Sequence, residues 1–465
     1  MRKLLLAPAV FAVFTLVYFA GFVFSDRVMV GIDQGDRYWL TSDPGDWAVA
    51  MGGCPAWARI GWDWSPTRPL SWLTTWHRYL GWRSVISVWV FACGVFVAAR
   101  CLGMKRGAWF AGVCAVYCPA LLSFILPGHE AKMLAIAGFP WGIAGLRKGG
   151  IWALLIPACV AWQVYAPHPQ IAYLSLLALA LLWLLWRGWT IAYTWQAAVL
   201  AVLLALPGTL GSYVYLRDTR VGADLAYSQG WSLHLGEVLA LLWPGAVGYL
   251  DNYAGENGGK WNTEYFGIIV IVLAVVAVAR NKGRTWHLAL LALLALAFCL
   301  GSHTPVHGLL WYLVPGMKGL RAPGMAAFLF VVPALLLAGY AVDGVDWRVL
   351  AVLATLVLVD TWGVSRDFYH LVDPWIVPHP AAKWPAIVKQ VGTDPVLNLT
   401  QHELFPVIRA VNSVRHDPWE SHPHRRAFKE NPTSLARWVI TGKSAGVTPV
   451  VSENGLFLYW MDVRL

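Results

Sequence analysis

Residues 323–341 read "PGMAAFLFVVPALLLAGYA" and residues 347–364 read "WRVLAVLATLVLVDTWGV", with only "VDGVD" at 342–346 between them. Each run approaches the about 20 residues that a helix needs to cross a bilayer. Two such runs joined by so short a link take the chain across a membrane and back. Working outward, comparable runs recur near 5–24, 84–103, 108–127, 131–146, 151–167, 171–186, 190–210, 265–280 and 285–301. The expected fold is therefore an all-α polytopic membrane protein with about eleven transmembrane helices. The run at 131–146 is short for a span and could be tilted, broken or re-entrant.

Composition agrees. Of the 465 residues, 58% are hydrophobic and 13% charged, with a mean hydropathy of +0.55, whereas a soluble domain carries about 25% charge. The net charge of +10 would suit nucleic acid, but clustering on one side of a membrane explains it better, and no nucleic-acid partner is expected. Arg2 and Lys3 precede an apolar stretch from Leu4 to Phe24 with no small-residue cleavage site, which reads as a retained first helix. Of the seven cysteines, only Cys54 lies in a long polar loop. No disulfide framework or zinc spacing follows.

Basic residues orient the chain, because short cytoplasmic loops retain Lys and Arg. Alternate threading puts Arg2, Lys3, Arg100, Lys105, Arg106, Arg147, Lys148, Arg187, Arg280, Lys282, Arg284 and Arg348 on one side. That side is read as the cytoplasm, which makes the N-terminus cytoplasmic. The outer side receives loops at about 26–83 and 211–264, turns at 127–132, 166–170 and 302–322, and the tail 365–465. Lys132, Lys318 and Arg321 break the pattern and need another reason to be there. The expected division is a transmembrane domain, 1–364, and a small C-terminal α+β extracytoplasmic module, 365–465. Alternation in "VLNL" and "GLFLYWMDV" suggests short strands in the module. "NLT" at Asn398 matches a glycosylation acceptor, a pattern that also arises by chance.

The chemistry-bearing residues fall on the outer side. The loop "VGIDQGDRYWLTSDPGDW" holds Asp33 and Asp36, carboxylates suited to general-base work or to a divalent cation; a solvated acidic loop has the same spacing. Its many tryptophans suit the headgroup zone. "PGHEAK" places His129, Glu130 and Lys132 where a helix enters the membrane, a costly position for ionisable groups, with local Glu130/Lys132 compensation as the plainer alternative. "YAPHPQIAY" offers His168 and Gln170 at a helix start, where an anion is favoured, although a capped helix looks the same. Glu237, Glu264 and Tyr265 sit near the ends of the 211–264 loop, and "GSHTPVHGLLWYLVPGMKGLRAPGM" contributes His303, His307, Lys318 and Arg321. Arg321 suits bidentate pairing with a lipid phosphate, or ordinary snorkelling to headgroups.

Several fragments taken in order resemble the bacterial YfhO-like membrane proteins, a branch of the GT-C glycosyltransferase superfamily. They are "PGHEAKMLAIAGFPW" from Pro127, "APHPQIAY" from Ala166, "GEVLALLWPGAVGY" from Gly236, "EYFGI" from Glu264, and "GSHTPVHGLLWYLVPGMKGLRAPGMAAFLF" from Gly301. The resemblance covers roughly residues 5–340. It implies a GT-C-like fold and transfer of a sugar from a polyprenyl-phosphate carrier to an extracytoplasmic acceptor. It further implies Asp36 as catalytic base with Asp33 beside it, and Glu130 as a second acidic position that would hold a divalent cation such as Mg or Mn. Substrate contacts would come from His129, Lys132, His168, Gln170, Glu264, Tyr265, His303 and Arg321. A different reading keeps the fold but not the chemistry: a non-catalytic subunit that binds membrane lipids or docks partner membrane proteins. A transporter fits less well, since the spans carry few charges other than Asp360.

Overall fold

The computed structural model describes residues 2–29, 31, 65–74, 76–166, 168–186, 192–219, 224–248, 252–257 and 260–372, with short strand segments between 396 and 460. Asp33, Asp36, Cys54 and most of the Trp-rich loop lie outside the described residues.

An apolar helix satisfies its own backbone and can present side chains to neighbours or to lipid on every side, which is what these runs do. The described helices are α1 (Arg2–Tyr18), α2 (Trp76–Cys101), α3 (Arg106–Val116), α4 (Glu130–Lys148), α5 (Leu155–Tyr165), α6 (Pro169–Leu185) and α7 (Ala192–Thr219). They continue with α8 (Leu225–Gln229), α9 (Leu235–Ala240), α10 (Ile268–Arg280), α11 (Lys282–Cys299), α12 (Pro305–Leu313), α13 (Phe328–Val342) and α14 (Trp347–Ser365). Among the described residues, five helical stretches are long and apolar enough to cross a membrane: Arg78–Cys101, Arg106–Ile125, Lys282–Cys299, Pro323–Val342 and Trp347–Phe368. Shorter apolar helices occupy Leu6–Tyr18, Gly150–Tyr165, Pro169–Leu185, Gln196–Leu210 and Ile268–Arg280.

The bundle centres on α2, which packs along α3 and α4, while α13 packs against α3, α10 and α11. Without a hydrophobic drive between helices in lipid, close backbone approach matters. Gly107 and Gly339 supply it: a Cβ at Gly107 would sit 2.0 Å from the Gly339 carbonyl oxygen. Gly107→Leu is expected to push α3 off α13 and cost about 2–3 kcal/mol or more, as overpacking does. Unfolding of the purified variant in detergent at wild-type temperature would refute this.

One end of the bundle gathers the basic loops. The Asp343 carboxylate accepts from the backbone N–H groups of Lys105, at 2.6 Å, and Gly107, at 2.9 Å, and Arg106 donates to the Val345 carbonyl at 2.9 Å. Arg147 lies 5.9 Å over the Trp186 ring, which is 6.3 Å from His287. Loops far apart in sequence thus share the end to which charge counting assigned them.

Several boundaries differ from the sequence reading. The helix expected to begin near residue 84 begins at Trp76, because Arg78 and Arg83 find partners inside the fold. The 108–127 run is not one helix: α3 ends at Val116 and the chain restarts at Pro119, whose fixed φ suits a first helical turn. The short 131–146 run lies within a 19-residue helix, α4. α7 reaches Thr219, past the expected loop start at 211.

The segment that follows α1 is tied to the end of α14. Strand β1 (Val28–Met29) pairs antiparallel with β2 (Leu371–Val372), and the Tyr18 hydroxyl donates to the Ser365 carbonyl at 2.9 Å. In the tail, β3 (Val396–Asn398), β4 (Ala410–Asn412), β5 (Trp438–Thr441), β6 (Val451–Glu453) and β7 (Leu456–Trp460) form a mixed sheet in the order β4-β3-β5-β7-β6. β3 runs parallel to β4 and β5, and β7 antiparallel to β5 and β6.

Candidate functional site

The end of the bundle opposite the basic loops holds the polar clusters. Its first part is built by the exit of α1. The C-terminal carbonyls of a helix lack intrahelical donors, and Arg78 of α2 supplies them, donating to the carbonyls of Phe22, Ser25 and Arg27. Its guanidinium also lies 4.6 Å over the Phe22 ring. This clamp carries the chain to Met29 and Gly31, which line a small cavity with Leu80, Gly81, Ser84 and Glu130. Asp33 and Asp36 follow a few residues later.

Glu130 is the first residue of α4, where a carboxylate is favoured by the helix dipole. It is buried and receives a 3.0 Å hydrogen bond from Arg83 Nη1, also fully buried. Charges taken out of water persist only when well paired. Beside them, Lys132 Nζ lies 3.0 Å from His129 Nδ1 and 5.5 Å from the Phe124 ring centre. The same turn reaches the loop that precedes α10: Ser123 Oγ donates to the Thr263 carbonyl and accepts from the Thr263 N–H, each at 3.2 Å.

That contact leads to a second buried cluster. Lys260 Nζ donates to Glu237 Oε1 at 2.8 Å and to Glu264 Oε2 at 2.7 Å. Tyr253 and Asn257 donate to Glu237 as well, and Asn262 to Glu264. Burial opposes the charge on Glu237, but Lys260 outweighs it and holds the carboxyl below its ordinary value. Burial likewise opposes the charge on Lys260, and Glu264 and Glu237 together raise its ammonium above the usual lysine range. A lowered carboxyl stabilises the fold above its unfolded pKa and loses that contribution as pH falls; a raised lysine loses its contribution as pH climbs past its folded value. The loop is therefore expected to be most protected between about pH 4.3 and about 10.4, the ordinary glutamate and lysine values. Hydrogen-exchange protection factors over residues 232–264, corrected for the intrinsic pH dependence of exchange, that did not fall on acidification below about pH 4 would contradict this.

A third cluster surrounds Arg321. Its Nη1 donates to the Tyr227 hydroxyl at 3.2 Å, and its backbone carbonyl accepts from the Gln170 side chain. His168 caps α6 by accepting from the Ile171 N–H at 3.4 Å. The backbone here is strained: Ala322 and Trp231 take φ of 56° and 60°, at a cost of about 1–3 kcal/mol each. They stabilise one another's segments, with Ala322 N–H donating to Ser228 and Gly324 N–H to Trp231. His303 Nε2 lies 3.2 Å from His234 Nδ1. Tyr265 is buried and donates to Asp360 at 2.6 Å, joining α10 to α14.

The sequence-predicted residues thus fall into neighbourhoods: His129, Glu130 and Lys132 on one turn, Glu264 beside Lys260, and Gln170 against Arg321. His168 and Tyr265 act as caps or staples. Arg83, Lys260 and Tyr227 were missed. Lys132 and Arg321 now have partners, and Lys318 lies 4.9 Å from the Trp311 ring. Among the described residues, no group of three His, Cys, Asp or Glu side chains could hold a metal ion. Glu130 accepts from the Arg83 guanidinium, and the acidic residues expected beside it, Asp33 and Asp36, lie outside the described residues.

No family model and no curated protein matches the chain. A crystal structure of ArnT from Cupriavidus metallidurans bound to undecaprenyl phosphate is similar to it, with a TM-score of 0.55 and 13% sequence identity, covering 93% of this chain and 92% of that one. At this identity the likeness is one of fold, and it extends over nearly the whole of both chains. The chain is an integral membrane protein with an ArnT-like fold.

Proposed function

We propose that this chain is a membrane glycosyltransferase that moves a sugar from a polyprenyl-phosphate carrier to an acceptor outside the cytoplasm. The observation that carries this reading is the buried Arg83–Glu130 pair, set against the cavity from which the chain leads to Asp33 and Asp36. The ArnT-like fold and the YfhO-like fragments support it. In this reading the chain has eleven spans, its N-terminus in the cytoplasm and residues 365–465 outside as a separate module.

An acceptor hydroxyl attacking the anomeric carbon must lose a proton, and Asp36 takes it, with Asp33 beside it. Attack opposite the departing phosphate inverts the anomeric centre. The leaving lipid phosphate gathers charge as the bond breaks, and Lys132 and Arg321 supply positive potential at that end of the bundle. His129, His168, Gln170, Glu264, Tyr265 and His303 shape and hold the surroundings. Glu130, matched by Arg83, fixes the entry of α4.

The reading is tested by native mass spectrometry of the protein extracted in mild detergent. A bound polyprenyl phosphate, depleted by Arg321→Ala, is the expected result. Stoichiometric partner chains with no polyprenyl lipid would instead favour a docking subunit.

A further inference from the structure

The segment 224–243 is folded inside out for a surface exposed to water. Three of its polar side chains turn inward: Ser228 donates to the Leu320 carbonyl, Ser232 to that of Gln229, and Glu237 enters the buried Lys260 cluster. Its large apolar side chains turn outward, with Trp231 51%, Leu235 62%, Leu239 59% and Trp243 69% exposed. Leu235, Leu239 and Leu242 follow the spacing of one helical face. α12 repeats the pattern. His307 is buried against Phe298, and Leu309, Tyr312 and Leu313 stand out, the last 74% exposed.

These two elements are neighbours. α8 packs against α12 and against the turn at Met317–Gly319. Between them sit Lys318, beside Trp311, and Arg321, beside Tyr227. In 224–243 Asp224 is the exposed cap of α8 and Glu237 is buried, 305–322 contains no acidic residue, and Glu256 meets His234 at 3.0 Å at the margin. The outward side chains are thus apolar and aromatic, with Lys318 and Arg321 between the two elements and the carboxylates Asp224 and Glu256 confined to the margin. Aromatic residues that combine an apolar body with a polar tip favour the membrane interface, and Lys and Arg at that depth meet lipid phosphates.

We infer that residues 225–243 and 305–322 form an interfacial platform seated in the outer lipid monolayer, with Arg321 and Lys318 at the level of anionic headgroups. The occupant is the bilayer itself, because α12 packs on α11, a helix long and apolar enough to cross a membrane, where Leu293 is 65% exposed. It would shelter the mouth of the site from water and set the depth at which a lipid phosphate approaches. This inference concerns placement in the membrane and does not depend on turnover.

The test uses nitroxides at Leu239→Cys, Leu313→Cys and Glu256→Cys on a Cys54→Ser background, the other six thiols being buried or half-buried in the bundle. The proteins are reconstituted in nanodiscs of phosphatidylcholine and phosphatidylglycerol. Labels at 239 and 313 are expected to collide with oxygen and lose broadening by an aqueous nickel complex, whereas the label at 256, on a side chain 75% exposed in the polar loop, should show the reverse. Strong nickel broadening at 239 and 313 would overturn the inference. So would shielding from both reagents, which would mean that a protein covers the face. Loss of transfer activity with the depth pattern intact would instead fault the enzymatic reading.

Discussion

Arg83→Met is expected to destabilise the protein by about 3–5 kcal/mol, the usual cost of removing one partner of a buried ion pair. Methionine fills much of the arginine stem's volume, so the loss is electrostatic more than steric. What remains is the Glu130 carboxylate, buried at the start of α4 with its 3.0 Å partner gone. The double variant Arg83→Met/Glu130→Leu removes the second charge as well and should recover part of the loss, giving coupling of about 1–3 kcal/mol between the two positions. Unfolding curves for the four proteins in one detergent give the answer. Additive losses would mean that the pair is not a unit, and α4 would then need another explanation for its entry.

Asp36→Asn is the substitution with the largest expected effect on chemistry. Asparagine keeps the size and polarity of the side chain but cannot accept the acceptor's proton. General-base contributions run to about 10²–10⁴-fold, so transfer should fall by that factor while insertion and thermal stability stay as in the wild type. Asp33→Asn should cost less, because that residue is assigned a supporting place beside the base. Should the ranking reverse, the base assignment moves to Asp33. Unchanged turnover in both variants would remove the first outer loop from the chemistry.

The bundle was largely legible, because hydrophobic runs and charge asymmetry are local signals that lipid enforces. Contacts across the chain were less so. The start of α2 was hidden because Arg78 and Arg83 read as loop residues among tryptophans, and their roles appear only when α1 and α4 are beside them. Arg83 and Glu130 stand 47 positions apart, Glu237 and Lys260 stand 23 apart, and Arg321 and Tyr227 stand 94 apart. No spacing rule connects such pairs. Glu264 drew notice as an acidic residue near a membrane edge, yet its partner Lys260 was overlooked because a lone lysine in a long loop is unremarked until it is buried. The breaks at Tyr117–Cys118 could have been read from Pro119, since proline opens a helical turn more readily than it continues one.

Purified wild-type protein in proteoliposomes, supplied with a polyprenyl-phosphate-linked radiolabelled sugar and a mixture of extracytoplasmic acceptors, tests the proposed activity most directly. Release of free polyprenyl phosphate with label on an acceptor, lost in Asp36→Asn, is the predicted result. An intact carrier in the presence of correctly inserted protein, or equal release by wild type and Asp36→Asn, would contradict it.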